Sequence, residues 1–249
     1  MARIPSFSKG DFLINNKGCE AVIIDYLDSS KILVEFLDEN RFRRYFEARD
    51  IREGVFKNPF LPTVSKVAYL GDGIHKTRTN GKPCRIHKVW SGMFTRCYYD
   101  LGGERYKSYR DCEVHKDWHN FQNFADWYKM QKFYDKGYDL DKDILVKGNR
   151  LYSAETCCLV PPSLNNSVGL RHNPKGKYAA GVRLDRRSGK FNSSISKFGK
   201  EYHLGVWDNE SEASVAYLSA KKEYMRELAM IYKDKVSDKV FNALFNWEV

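Results

Sequence analysis

Apolar and polar positions along this chain alternate, then take up a helical period, then alternate again. In the first seventy residues the apolar runs are short. Glu20–Tyr26, Lys31–Leu37 and Arg41–Phe46 are rich in β-branched and aromatic residues, as half-buried strands are. Asp28-Ser29-Ser30 and Asp38-Glu39-Asn40 break them with turn formers, and Gly10, Gly18 and Gly54 mark further turns. The spacing predicts a small five-stranded barrel over residues 1–69. Asn58-Pro59-Phe60-Leu61-Pro62 reads as a linker, and Gly71-Asp72-Gly73 and Asn80-Gly81-Lys82-Pro83 punctuate the polar stretch after it.

A helical period governs the next segment. Val89, Trp90, Met93, Phe94 and Cys97 fall on one face, as do Trp118, Phe121, Phe124, Ala125 and Tyr128. These aromatics read as core rather than as platforms for bases. A strand-like turn is expected at Asp141–Leu145 and a loop at Lys147-Gly148-Asn149. Cys158-Leu159-Val160 reads as a strand stopped by Pro161-Pro162, with a short helical start at Ser163-Leu164-Asn165-Asn166. Alternation returns in Tyr178–Leu184, Lys190–Lys197 and Glu201–Val206, joined by turns at Asp185–Gly189 and Phe198-Gly199-Lys200. Asn209-Glu210-Ser211-Glu212 has the spacing of a capping box. Behind it Ala213, Ala216, Tyr217, Ala220, Tyr224, Leu228 and Ile231 form one apolar stripe. The pattern predicts a three-stranded sheet backed by one long helix, and an α+β, multidomain chain divided at 1–69, 70–168 and 169–249.

Composition sharpens the picture. The 249 residues carry 42 Lys and Arg against 32 Asp and Glu, a formal net charge of +10, which favours a polyanionic partner. Between Arg171 and Val206 the imbalance is nine to two. No run is long and apolar enough to span a membrane, and the N-terminal MARIPSFSKG lacks the apolar centre of a signal peptide. A cytoplasmic location, in a bacterial or phage-infected cell, is the expectation. The six cysteines make no C-x-x-C pair, so reduced, partly buried thiols are expected. A structural metal on Cys97, Cys112 and Cys157 is the alternative. Among the six histidines only His115 and His119 have the i, i+4 spacing that suits zinc on a helix.

Two resemblances follow from ordered motifs. Tyr178-Ala179-Ala180-Gly181-Val182-Arg183, Gly189-Lys190-Phe191, His203-Leu204-Gly205-Val206-Trp207 and Glu210–Tyr217 resemble the AP2-type DNA-binding domain. That resemblance implies a sheet laid in the major groove of double-stranded DNA, with Arg183, Arg186, Lys190 and Lys197 contacting it. Long cations on a sheet face neutralise phosphates and release counterions, and arginine reads guanine bidentately. A solvated basic face with no partner is the rival reading. Trp90–Tyr98, Cys112-Glu113-Val114 with Trp118 and Phe124, Leu140–Asp143 with Gly148-Asn149, Tyr152–Cys157 and Asn165 resemble HNH endonucleases of phages and mobile introns. With an SH3-like barrel in front and the AP2-like domain behind, the assembly resembles a phage homing endonuclease.

The HNH resemblance implies a ββα-metal module around one divalent ion. Asp141 would be the first ligand and Asn165 the helix ligand, with Asp143 a second carboxylate or a structural one. Oxygen donors of this kind suit Mg2+ or Mn2+. Such an ion stabilises the charge that grows on phosphate and leaving oxygen. The position of the family's catalytic histidine holds Lys142, and Thr156 stands where the family has asparagine. Lysine is protonated at neutral pH. Three outcomes stay open: Lys142 binds the scissile phosphate while the ion supplies the nucleophile; His115, His119 or His87 acts as base; or the chain binds DNA as a regulator that no longer cuts. Asp141-Lys142-Asp143 as a plain solvent-facing turn is the remaining alternative.

Overall fold

The structure is a computed structural model that describes residues 7–98, 109–168 and 177–248. Its first elements are β1 (Phe12–Ile14), β2 (Glu20–Asp28), β3 (Lys31–Phe36), β4 (Arg43–Phe46), α1 (Ala48–Arg52), β5 (Arg78–Thr79), β6 (Lys82–Pro83) and α2 (Arg85–Tyr98). Then come β7 (Glu113–Val114), α3 (Phe121–Met130), β8 (Asp139–Asp141), β9 (Leu151–Tyr152), β10 (Cys158–Val160) and α4 (Pro162–Val168). The last are β11 (Val182–Leu184), β12 (Phe191–Lys197), β13 (Lys200–Trp207), α5 (Glu210–Tyr232) and α6 (Asp238–Phe245). The mixture of helix and sheet is that of an α+β chain. No helix among the described residues is long and apolar enough to cross a membrane.

The chain divides into two compact units that interleave along the sequence. The first comprises Met1–Glu104 and Lys116–Ala125, the second Arg105–His115 and Asp126–Val249.

In the first unit β1 to β4 form an antiparallel meander in sequence order. Alternation sends Ala21 and Ile23, and Ile32, Val34 and Phe36, to one face, where they pack with Ala48, Ile51 and Phe56. The expected fifth strand is absent among the described residues and the sheet stays open. After Phe46 the chain turns into α1, whose Ala48 and Ile51 bury against the same core, so helix burial replaces strand pairing. Tyr69 donates its N–H to His119 O at 2.9 Å and accepts from Phe121 N at 3.0 Å. Beside this connection Trp90 of α2, fully buried, donates from Nε1 to Trp118 O at 2.7 Å and packs edge-on against Phe94 and Phe121.

In the second unit one hydrophobic core serves two arrangements. β8 pairs antiparallel with β10, Asp141 opposite Cys158. Pro161 and Pro162 then end the strand, and α4 starts and packs against β8. β11, β12 and β13 form an antiparallel sheet against α5. Ile144, Cys158, Val160 and Leu164 share their core with Ile195, Tyr217, Tyr224, Met225 and Leu228. The expected boundary near residue 168 thus falls inside a single core. Asn209 caps α5 by accepting from Glu212 N at 2.9 Å. The helix buries Ala213, Tyr217, Tyr224 and Leu228 as expected, but Ile231 is 50% exposed. Met225 and Ala229 take its place, because Val240 and Leu244 of α6 join the core they belong to. Gly181 (φ +75°) lies so close to α5 that a Cβ would sit 2.0 Å from the Tyr217 ring, and only glycine accepts both that backbone and that approach.

Candidate functional site

The β8–β10 hairpin and α4 build the first candidate site. Asp141 is the last residue of β8 and half-buried. Its Oδ1 accepts from Asp143 N at 2.8 Å and Ile144 N at 2.7 Å, turning the chain sharply out of the strand. Oδ2 has no donor among the described residues. Burial pushes the carboxyl above its ordinary range, and the two N–H bonds only partly offset that.

Lys142 points inward. Its side chain is 10% exposed, and Nζ donates to Asp143 Oδ1 at 2.8 Å and to Asn149 O at 2.5 Å. Asn149 closes the loop from the other side. Its Nδ2 donates to Lys142 O at 3.0 Å and Leu151 O at 2.6 Å, and its Oδ1 accepts from Leu151 N at 3.0 Å. Thr156 fastens the far arm, its hydroxyl donating to Leu151 O at 2.6 Å and accepting from Ser153 N at 3.2 Å. A hydroxyl therefore ties this turn where an amide was expected. Asp143 is exposed and engaged by Lys142. The three charges split into an inward carboxylate, an inward ammonium and an outward carboxylate, which is not a plain solvent-facing turn.

Asn165 lies on α4, half-buried, one element away from Asp141 across the β8–α4 contact. Among the described residues no group of three or more His, Cys, Asp and Glu converges as a metal cage. Asp141 Oδ2 and the Asn165 amide are oxygen donors carried on two elements in contact, β8 and α4. Mg2+ and Mn2+ need few protein ligands, because they keep several waters and take phosphate oxygens, whereas zinc sites draw on His and Cys.

The other candidates separate. His119 packs edge-on against Phe94 and Tyr98, and half-buried His87 packs at a tilt against Trp90 and edge-on against Phe121, all in the first unit. Burial, helped by Arg78, pulls the His87 pKa down. Residues 116–119 form a 3-10 turn, so His115 and His119 do not share an α-helical face. His115 is exposed in the second unit, its N–H bonded to Tyr152 O at 2.9 Å. His172 and Arg171 lie outside the described residues. Cys112, Cys157 and Cys158 are buried and form no disulfide among the described residues. Burial pushes Cys157 up to about 12 and Cys158 higher still, so they behave as small apolar side chains.

The three-stranded sheet is the second candidate. Directly paired residues project to the same face. Arg183, Asn192 and Val206 share the face away from α5, as do Ser194 with His203 and Ser196 with Glu201. A bulge at Ser193/Ser194 leaves Leu204 unpaired and turned to the core. Arg183 is 81% exposed at its side chain. Arg186 projects from a turn organised by Asp185, which accepts from Arg187 N and Ser188 Oγ. Lys190 reaches Asp208 at 3.0 Å. Lys197 departs from expectation. It shares its side with buried Ser193 and Ile195, lies over the Tyr224 ring and pairs with Glu227 of α5 at 3.4 Å. It is a helix-side cation, not an outer-face one. Asn192, Ser194 and His203 were missed as outer-face groups, although strict alternation from Arg183 through its partners points to them.

No family model, curated protein or solved structure matches this chain.

Proposed function

We propose that the chain is an HNH-type, homing-endonuclease-like DNA endonuclease. Residues 1–69 would be an adaptor sheet, 70–168 the nuclease module and 169–249 an AP2-like sheet that binds double-stranded DNA. The observation that carries the reading is the strand–strand–helix order of β8, β10 and α4, with a half-buried carboxylate at the strand end and an amide on the packed helix. In this reading Asp141 and Asn165 hold one Mg2+ or Mn2+, which when bound supplies positive charge for the phosphate undergoing hydrolysis. Lys142 and Asn149 hold the hairpin so that Asp141 Oδ2 stays presented. Lys142 keeps a third N–H for a phosphate oxygen. His115, whose N–H bonds Tyr152 O of β9 in the segment between β8 and β10, is proposed as base. Arg183, Arg186 and Lys190 engage the duplex; Lys197 does not.

One observation favours a second reading. An ammonium bonded to Asp143 and to Asn149 O stands at the base position, as it would in a DNA-binding regulator that has lost cleavage. Supercoiled plasmid incubated with the protein and Mn2+ separates the two. Nicking that disappears in Asp141→Ala and with chelator supports the enzyme, whereas shifted but intact plasmid supports the regulator. For the binding half, Arg183→Ala and Lys190→Ala each weaken duplex binding and lower the salt slope, and Lys197→Ala changes neither. Equal effects from all three would remove the outer face from the proposal.

A further inference from the structure

A cavity of about 800 Å3 opens beside α5 and the β12 edge in the second unit. β11 pairs with β12 only as far as Val182 opposite Ser193, with one further bond from Ser194 N to Gly181 O. Beyond that point the β12 edge has no β11 partner. The Ser196 N–H, two residues on, points the same way as that of Ser194, along the cavity wall.

The cavity's buried cation is Lys221 of α5, which is 3% exposed. An ammonium offers three N–H donors. Here one acceptor is described, Ser167 O at the long distance of 3.3 Å, and the remaining neighbour is the Tyr224 ring at 5.5 Å. Burial pulls the Lys221 pKa down to about 8, and among the described residues no carboxylate acts to restore it. Buried lysines are almost always paired, and an anion is the group that would pair this one. The remaining wall carries the same sign. Lys177, Arg183 and Arg186 line it with a single acid, Glu201, which accepts from Ser194 Oγ at 2.8 Å and pairs with Arg183 at 3.9 Å, leaving Lys177 and Arg186 as the wall's further cations. The volume far exceeds what a bare anion fills and lies in the range of small organic ligands. Aromatic surface completes the set: Tyr178 lines the wall, and Phe198, 54% exposed, stands there with its ring edge-on to Tyr224. Bases stack on such rings whatever their identity.

We infer that this cavity is a nucleotide-binding pocket, in which Lys221 takes the phosphate and the aromatic wall takes the base. The inference goes beyond the proposed cleavage at the hairpin and does not depend on it. The ligand is a nucleoside 5′-phosphate, either free or as the terminal unit of a nucleic acid.

Lysine side-chain NMR of the full chain, in phosphate-free buffer, reads the site directly. Thymidine 5′-monophosphate shifts the Lys221 Cε and Nζ signals saturably, and thymidine at the same concentration does not. In Lys221→Met, followed by competition with a fluorescent nucleotide, affinity falls about 10- to 100-fold, the loss expected for one charge-assisted contact. Lys221→Arg stays within a few-fold of wild type. Tighter binding of the free mononucleotide than of a short 5′-phosphorylated oligonucleotide makes the free nucleotide the ligand. The reverse order makes it a nucleic-acid end, and both orders support the pocket. No saturable shift with either probe, or equal affinity in Lys221→Met and wild type, overturns it. None of these readouts involves Asp141.

Discussion

Replacing Asn149 by alanine tests whether the hairpin is held by its own loop. The side chain makes three hydrogen bonds. Leu151 O keeps a second donor, the Thr156 hydroxyl, so its loss is small. Lys142 O and Leu151 N lose the side-chain partners described for them. Orphaning a buried backbone group costs about 1–3 kcal/mol, and the loop is half-buried, so the low end applies to each. Adding the third bond gives about 2–3 kcal/mol of local stability. Because 1.4 kcal/mol is a factor of ten, amide exchange at Leu151 and Ile144 should speed up about 30- to 150-fold by local opening. Lys147→Ala is the control in the same loop. It removes a cation lying over Trp247 at 5.1 Å, a contact worth under about 1 kcal/mol when exposed. Unchanged protection at Leu151 and Ile144 in Asn149→Ala, or an equal loss at Trp90 and Phe94 of the first unit, would refute the argument that this loop is a local clamp.

Asp141→Asn, measured in chelator, should be more stable than wild type at pH 7 while losing any nicking activity. The raised carboxyl pKa means that its stability contribution is present in acid and lost as pH rises through the folded value, so the variant's advantage vanishes near pH 3; a destabilised variant at pH 7 would show the charge to be structural. Lys221→Met should likewise melt higher than wild type without nucleotide. Its folded pKa of about 8 lies below the ordinary lysine value of 10.5, so the unfolded chain binds more protons between these values. Wild-type stability therefore rises from pH 8 towards 10.5 and the variant's lead shrinks; a lead independent of pH would assign it to packing. Ser193→Ala should gain about 1 kcal/mol, because the Ser193 hydroxyl is fully buried with no partner; a drop in urea midpoint would reveal a bridging water.

Local chemistry made much of the fold readable. Asn209 with Glu212 announces the start of α5, Pro161-Pro162 the end of β10, and Phe198-Gly199 the β12–β13 turn. The misreadings come from partners far away in sequence. Lys197 looks outward in a polar strand, yet its stem lies on Tyr224 and its head finds Glu227, a cation reaching along an aromatic to an acid. Lys142 sits in a triplet of charges that suggests a surface turn, yet its ammonium is held inward by Asp143 and by the Asn149 carbonyl seven residues on. Ile231 continues the α5 stripe by period, but α6 decides which side of the last turns is covered. The fifth strand was inferred from turn spacing, whereas Ala48 and Ile51 bury as a helix. At the candidate site, Asp141 was visible by motif. That its carboxylate is buried and its Oδ1 is spent on the backbone was not.

The interleaving of the two units constrains how the chain is made. Lys116–Ala125 belongs to the first unit and is synthesised after Arg105–His115, which belongs to the second. Emerging from the ribosome, the N-terminal meander can close on itself early. The Trp90 indole still waits for Trp118, and Tyr69 for His119. A nascent chain stalled before residue 119 therefore exposes a large aromatic cluster. A cut after His115 leaves each half short of a piece held by the other.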